Sequence, residues 1–230
     1  MRRVYGSAAA VAAMAFLPGI LAAQADASRN VAGGGISVAG WMGMVDNHSP
    51  EGVAQAKLSG TANALQVTTG PAIAYWNSAN KASGDYTVKA TFTEPKFQNL
   101  NDHPHPYGIV IAGNDMGAAT ASYLYCAVNG NGTFIVRGFG PAAFQMNGRM
   151  GAASPAIHKA PAKGESVTQD IAMSVKGDKV TCTINGTEVA SYDKSALIGD
   201  GKLKTLDGIA GVRFAHNTDA HVAGFAITKP

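Results

Sequence analysis

Apolar and polar residues alternate along several short segments of this chain, and this alternation limits its fold more than any other feature. The clearest example is residues 86–93, where every second residue is apolar or aromatic and its neighbours are polar. A period of two matches the side-chain alternation of a β-strand, whereas an amphipathic helix repeats every 3.6 residues. Beyond the first 25 residues, no comparable stretch carries a helical stripe. The sequence therefore predicts an all-β fold.

Turn residues separate these segments at short intervals. The chain has 28 glycines in 230 residues, and its Asn-Gly and Gly-Asp pairs favour the positive φ angles that hairpin turns require. Such pairs join segments 171–175, 180–184 and 187–192, which predicts a three-stranded meander. Segments 123–128 and 133–139 predict a further hairpin. Roughly a dozen short strands at this spacing indicate a two-sheet antiparallel β-sandwich.

The first 25 residues have the composition of a secretory signal peptide. Arg2 and Arg3 precede an apolar run at 8–23, and positions 23–25 carry the small-x-small pattern of a cleavage site. The run is shorter than the roughly 20 residues that span a bilayer. We therefore expect cleavage after residue 25, no transmembrane segment afterwards, and a secreted or periplasmic protein. An uncleaved anchor is the alternative.

The mature chain, residues 26–230, is long enough for one sizeable core, and no linker or composition shift divides it. We therefore expect a single domain. Loss of Arg2 and Arg3 with the signal peptide lowers the formal net charge from +3 to +1. Because the remaining basic residues are scattered and no nucleic-acid motif is present, nucleic acid is not an expected partner.

Both cysteines lie in apolar strand segments. Cys126 lies within residues 124–128 and Cys182 within residues 180–184. Since an exported protein with two cysteines most often pairs them, we expect a Cys126–Cys182 disulfide. Two buried free thiols, which pack as small hydrophobes, are the alternative.

Histidines cluster in the proline-stiffened segment 102–108. His103 and His105 stand two positions apart, so in an extended chain they project to the same side and can hold one ion, to which Asp102 can add an oxygen. We expect no cofactor. A divalent metal bound by these residues is the alternative. Two other interpretations remain: the rim of a ligand site that includes Tyr107, or a rigid loop with structural histidines.

Carbohydrate recognition would use the same residue types. Sugar faces stack on aromatic rings, and sugar hydroxyls hydrogen-bond to polar side chains. The predicted ligand-binding residues are His103, His105, Tyr107, Arg137, Trp76 and His216. For Trp76 a core position is the alternative, and for Arg137 a surface ion pair.

The order of features resembles the concanavalin A-like lectin/glucanase superfamily, especially its secreted laminin-G-like and 3-keto-disaccharide hydrolase-like branch. The segments that carry the resemblance are 40–41, 85–93, 107–110, 180–189, 208–214 and 224–227. The resemblance implies a jelly-roll sandwich over nearly the whole mature chain. The Glu-x-Asp-x-x-Glu cluster of the glucanase members is missing, because none of the four glutamates has another carboxylate two or three residues away.

These observations predict a secreted β-sandwich that binds a glycan or glycoside. One alternative, which the resemblance implies, is an enzyme that hydrolyses or eliminates at an oxidised sugar, with His103, His105 and His216 as candidate ligands or acid/base groups. The other is a structural, envelope-associated domain without a small ligand.

Overall fold

The computed structural model describes Met1 and residues 28–46, 48–97, 105–140 and 142–230. Residues 2–25 of the predicted signal peptide lie outside the described residues. So do Asp102 and His103 of the histidine segment.

The described part of the chain contains sixteen strands and two short helices. In chain order they are β1 (Gly35–Ile36), β2 (Trp41–Val45), α1 (Pro50–Ala54), β3 (Ala56–Thr61), β4 (Ala64–Thr69), β5 (Ile73–Ala82), β6 (Tyr86–Glu94), β7 (Tyr107–Asn114), β8 (Ser122–Asn129), β9 (Thr133–Phe139), β10 (Ala143–Gln145), β11 (Ala152–Ala153), β12 (Val167–Lys176), β13 (Lys179–Ile184), β14 (Thr187–Asp193), α2 (Lys194–Leu197), β15 (Gly208–Phe214) and β16 (Asp219–Thr228).

The strands form two sheets that pack face to face. Sheet 1 has the order β1-β3-β4-β16-β6-β12-β13-β14. Sheet 2 has the order β10-β9-β8-β7-β15-β5-β2, with β11 also paired to β9. The pairing is antiparallel apart from the parallel pair β1–β3. The predicted all-β, two-sheet antiparallel sandwich is confirmed.

The predicted meander and hairpin are also present. Strands β12, β13 and β14 are consecutive in sheet 1, and β8 pairs with β9 in sheet 2. At the β13–β14 turn, Asn185 and Gly186 both have positive φ, at 49° and 81°. Two consecutive residues with positive φ give the turn whose twist matches the twist of the flanking strands. The Asn-Gly pair therefore marks a hairpin turn for the predicted reason, which is that both residues adopt positive φ angles.

The inner faces of the two sheets meet in an apolar core. Phe92 of sheet 1 stacks on Tyr107 of sheet 2, with ring centroids 5.7 Å apart, and Tyr107 has no exposed surface. The predicted disulfide joins Cys126 of β8 to Cys182 of β13. It therefore links the two sheets covalently through their shared core.

The chain that follows the predicted signal peptide is bound to sheet 1 through Arg29. The Nε atom of Arg29 donates to the Thr69 carbonyl oxygen at 2.8 Å, and its two terminal nitrogens reach the carboxylate of Asp219. The backbone N–H of Arg29 donates to Asn217 at 2.8 Å. A bidentate arginine–carboxylate pair fixes direction as well as distance, so Arg29 attaches the segment before β1 firmly to sheet 1.

Candidate ligand-binding cavity

Sheet 2 is apolar on its outer face as well as on its inner face. All eight residues of β8 are buried, although their side chains alternate between the two faces. We call the side chains that cover the outer face the outer layer. Its members are Met44, Ala74, Trp76, Val110, Ala121, Tyr123, Tyr125, Ala127 and Ile135, with Met116, Phe139 and Ile209 packed against them.

A charged side chain, Arg213, is embedded in this layer. It belongs to β15, and its strand neighbours on the same face are Ala74 on one side and Gly108 on the other. These small residues leave space above the sheet for a long side chain. The guanidinium carbon lies 5.0 Å from the ring centroid of Tyr125 and 5.3 Å from that of Phe139. Both rings are within the distance at which an aromatic ring attracts a cation.

One carboxylate balances the charge of Arg213. Arg213 is 6% exposed, and its Nη2 atom donates to Asp46, directly after β2, at 2.7 Å. Burial lowers the pKa of Arg213, but the neighbouring Tyr123, Asp46 and Tyr125 outweigh burial and raise that pKa well above its ordinary range. Arg213 is therefore a permanent cation, held in place by a salt bridge and aromatic contacts.

The other terminal nitrogen of Arg213 lacks a hydrogen-bond acceptor. Nη1 is buried and finds none within the described part of the chain. A buried donor without an acceptor costs free energy, on the order of 1–3 kcal/mol. Arg213 borders a cavity of about 220 Å³. The cavity is lined by Asp46, Ala72, Pro106, Tyr125, Asn129, Ile135, Arg137, Arg149, Met150, Arg213, Ala215 and His216.

Arg137 and Arg149 bring two more guanidinium groups to this cavity. Arg137 lies on β9 directly across from Tyr125, and its Nη2 atom donates to the carbonyl oxygen of Arg149. Asn147 fixes the loop that carries Arg149, because its side chain accepts from Val136 N–H at 2.9 Å and donates to the Phe134 carbonyl at 3.1 Å.

Two further polar atoms at the cavity have no partner among the described residues. The buried Nε atom of Arg137 lacks an acceptor, and the buried Oδ1 atom of Asn129 lacks a donor. The amide nitrogen of Asn129 donates to Thr133 at 2.8 Å, which fixes the orientation of its oxygen. Three residues that line the cavity, Arg213, Arg137 and Asn129, therefore each carry a buried polar atom without a partner among the described residues.

The rings of His105 and His216, the two described histidines of the predicted site, lie next to each other. His216 lines the cavity, and the ring of His105 lies 4.8 Å from the ring of His216. His105 is 3% exposed, and its Nδ1 atom lies 2.6 Å from the His216 carbonyl oxygen. The contact between His105 and the His216 backbone positions the segment that follows β15.

The structure brings some of the predicted site residues together and separates others. Arg137 and His216 line the cavity, whereas His105 contacts His216 and is not one of the lining residues. The placement of Tyr107 at the rim is wrong, because its side chain points from β7 into the core between the sheets. Trp76 is not an open platform either. It is 2% exposed, and Gly117 in the loop after β7 lies over its ring.

Sequence reasoning gave Arg213, Asp46, Tyr125 and Asn129 no role in the site. Arg213 carried a usable signal, because it interrupts an otherwise apolar and small stretch at residues 208–214. A charge inside a buried strand requires a partner. Nothing local in the sequence identifies Asp46 as that partner, since the two residues are 167 positions apart.

The described residues contain no group of three or more His, Cys, Asp or Glu side chains placed to hold a metal ion. The proposed metal ligands Asp102 and His103 lie outside the described residues, so the metal hypothesis stays a prediction. The described part of the chain also has no helix long and apolar enough to cross a membrane.

No family model matches the chain, and no curated protein matches it in sequence. Solved structures that share its fold include the following two. A carbohydrate binding module, CBM66, from Bacillus subtilis is 11% identical, with 84% of this chain and 98% of that chain covered, at a TM-score of 0.54. A B. subtilis protein of unknown function with a galectin-like fold is 13% identical, with 82% and 89% covered, at a TM-score of 0.55. The predicted concanavalin-like jelly roll is confirmed as a fold.

Proposed function

We propose that this protein is a glycan-binding domain whose ligand occupies the cavity on sheet 2. The observation that carries the proposal is that Arg213 lines the cavity and that its buried Nη1 atom has no acceptor among the described residues. A bound ligand oxygen would satisfy it. One protein of the same fold is a carbohydrate binding module, which supports this choice of ligand class.

The polar atoms of the cavity complement sugar hydroxyls. A hydroxyl both donates and accepts, so it can accept from Arg213 or Arg137 and donate to Asn129 Oδ1. Tyr125 adds aromatic surface for the carbon–hydrogen face of a sugar ring.

Removal of the Arg213 guanidinium tests the proposal. Arg213→Met keeps a long apolar stem against the aromatic rings and removes the donor. We expect its affinity for the best ligand of a glycan array to fall tenfold or more, about 1.4 kcal/mol. Isothermal titration calorimetry measures the change.

Lys179→Met is the matched control, because it also removes one positive charge but lies on β13 of sheet 1 in an exposed ion pair. It should bind as the wild type does. Equal binding by Arg213→Met and the wild type, with both folded by circular dichroism, would place the ligand elsewhere and refute this site.

We also propose that residues 26–230 are the mature domain and act outside the cytoplasm. The Cys126–Cys182 disulfide supports this location, because disulfides persist in oxidising compartments. When the full chain is expressed with its own N-terminus in a bacterial host, the intact mass of the exported protein should correspond to a chain that starts at Asp26. An exported protein that retains residues 1–25 would contradict the cleavage.

A further inference from the structure

We infer that the ligand is an acidic glycan, whose sugar carboxylate is bound by the guanidinium groups of the cavity. This inference rests on the proposed function and names the substrate class of the same site. The juxtaposition that carries it is three arginines around one small cavity, with a single carboxylate among the described lining residues.

The charges of the described residues that line the cavity do not balance. Arg213 is paired with Asp46 at 2.7 Å. Within the described residues, Arg137 and Arg149 take part in no ion pair, although both line the same cavity. Two of three positive charges therefore lack a counter-charge, and an anionic ligand would supply it.

Specific contacts hold the guanidinium groups of Arg137 and Arg213, and the loop that carries Arg149, in position. The backbone oxygen of Arg149 accepts a hydrogen bond from Arg137, and Asn147 binds the loop to β9 at two points. Arg213 is held by Asp46 and by two aromatic rings. Sites in which the cations are already oriented bind an anion with a smaller loss of conformational freedom.

The unpaired donors favour an anion over a neutral hydroxyl. Arg213 Nη1 and Arg137 Nε are both buried N–H groups of cationic side chains. A hydrogen bond between a guanidinium and a carboxylate is roughly twice as strong as one between neutral groups, and its planar geometry matches the guanidinium. A carboxylate has two oxygens and can accept hydrogen bonds from several N–H groups at a time. A sugar hydroxyl has one oxygen and accepts fewer.

The size of the cavity limits what part of a glycan it holds. Its volume of about 220 Å³ is below the roughly 300–1,000 Å³ of pockets that take drug-sized ligands. Arg149 and Met150 are exposed at its border, and Met150 is 77% exposed. One sugar ring therefore fits inside, and a uronic acid residue with the rest of its chain directed past Arg149 satisfies both size and charge.

Matched pairs of ligands test the inference. The probes are oligosaccharides of galacturonate, mannuronate, guluronate and glucuronate, each beside its carboxyl-reduced form, which differs only by a hydroxymethyl group in place of the carboxylate. We expect at least one uronate oligosaccharide to bind the full mature protein tenfold or more tightly than its reduced form. Because the attraction is partly electrostatic, this preference should shrink as salt rises.

A second variant isolates the charge of the cavity. Arg137→Met should reduce affinity for the uronate ligand tenfold or more while changing affinity for the reduced form much less. Lys179→Met, with the same change of net charge on sheet 1, should leave both affinities unchanged.

The outcomes separate this inference from the proposed function. Equal affinity for uronate and reduced forms, or tighter binding of a sulfated neutral oligosaccharide than of every uronate, would overturn the carboxylate while glycan binding stands. Failure of every acidic, sulfated and neutral glycan to bind the folded protein would overturn both.

Discussion

The outer faces of the two sheets are built from opposite kinds of residue. On sheet 1 this face carries hydrogen-bonded polar pairs across the strands: Thr87 with Ser174 at 2.8 Å and Thr93 with Thr168 at 2.9 Å. On sheet 2 the corresponding face carries a buried aromatic layer with one embedded cation, Arg213.

Neither outer face has to be apolar for the sandwich to fold. A β-sandwich is stabilised by the apolar core between its sheets, and each sheet can leave its other face to water, as sheet 1 does. The second apolar layer on sheet 2 therefore adds stability that the sandwich architecture does not require. It also excludes water around Arg213 and fixes the guanidinium beside the cavity. This difference between the faces is a reason to propose that the ligand binds on sheet 2.

The largest expected effect comes from removal of an aromatic side chain of the outer layer. Trp76→Ala deletes a side chain that is 2% exposed and should lower the free energy of unfolding by roughly 3–5 kcal/mol. Lys89→Ala, at an exposed position on the outer face of sheet 1, should change it by less than about 0.5 kcal/mol. Urea denaturation measures both. A loss below about 1 kcal/mol for Trp76→Ala would mean that the outer layer is not packed as a core.

The same contrast explains which parts of the fold could be predicted from the sequence. Strand β6 has one partly exposed polar face and one buried face, so its apolar–polar alternation could be recognised in the sequence. Strand β8 is buried on both faces and is mostly apolar, so the sequence predicts a strand but not which side chains face the core. Tyr107 was misplaced for the related reason that it begins β7, which is buried through its first seven residues.

The candidate site was less predictable because its parts are distant in the sequence. Arg213 meets Asp46 and Tyr125 only after β15 lies between β5 and β7. No local pattern encodes that order of strands. The cysteine pair was predictable because it rests on chemistry and compartment rather than on geometry.

The next effect in size concerns the bond that joins the two sheets. Cys126→Ala combined with Cys182→Ala should lower the free energy of unfolding by roughly 2–4 kcal/mol, because the bridge restricts the unfolded chain across 56 positions. The double variant should keep its β-sheet circular dichroism spectrum. Alkylation of the denatured, unreduced wild type checks the premise, and the appearance of two labelled thiols would contradict it.

The smallest expected effects compare one side-chain pair on each outer face. Thr87 and Ser174 form a polar pair across β6 and β12, whereas Tyr123 and Phe139 pack across β8 and β9 with ring centroids 5.0 Å apart. Double-mutant cycles to alanine isolate the interaction within each pair. We expect a coupling free energy of about 0.2–1 kcal/mol for the polar pair.

For the aromatic pair we expect about 0.5–1.5 kcal/mol, because ring contacts add to the burial of apolar area. Ligand binding is a second measurement that distinguishes the two pairs. Replacement of Phe139 removes one of the two rings beside Arg213 and should weaken glycan binding, whereas replacement of Thr87 should not. If both cycles gave equal coupling and both single variants bound ligand as the wild type does, the two faces would be energetically and functionally alike, and the assignment of sheet 2 as the functional side would be wrong.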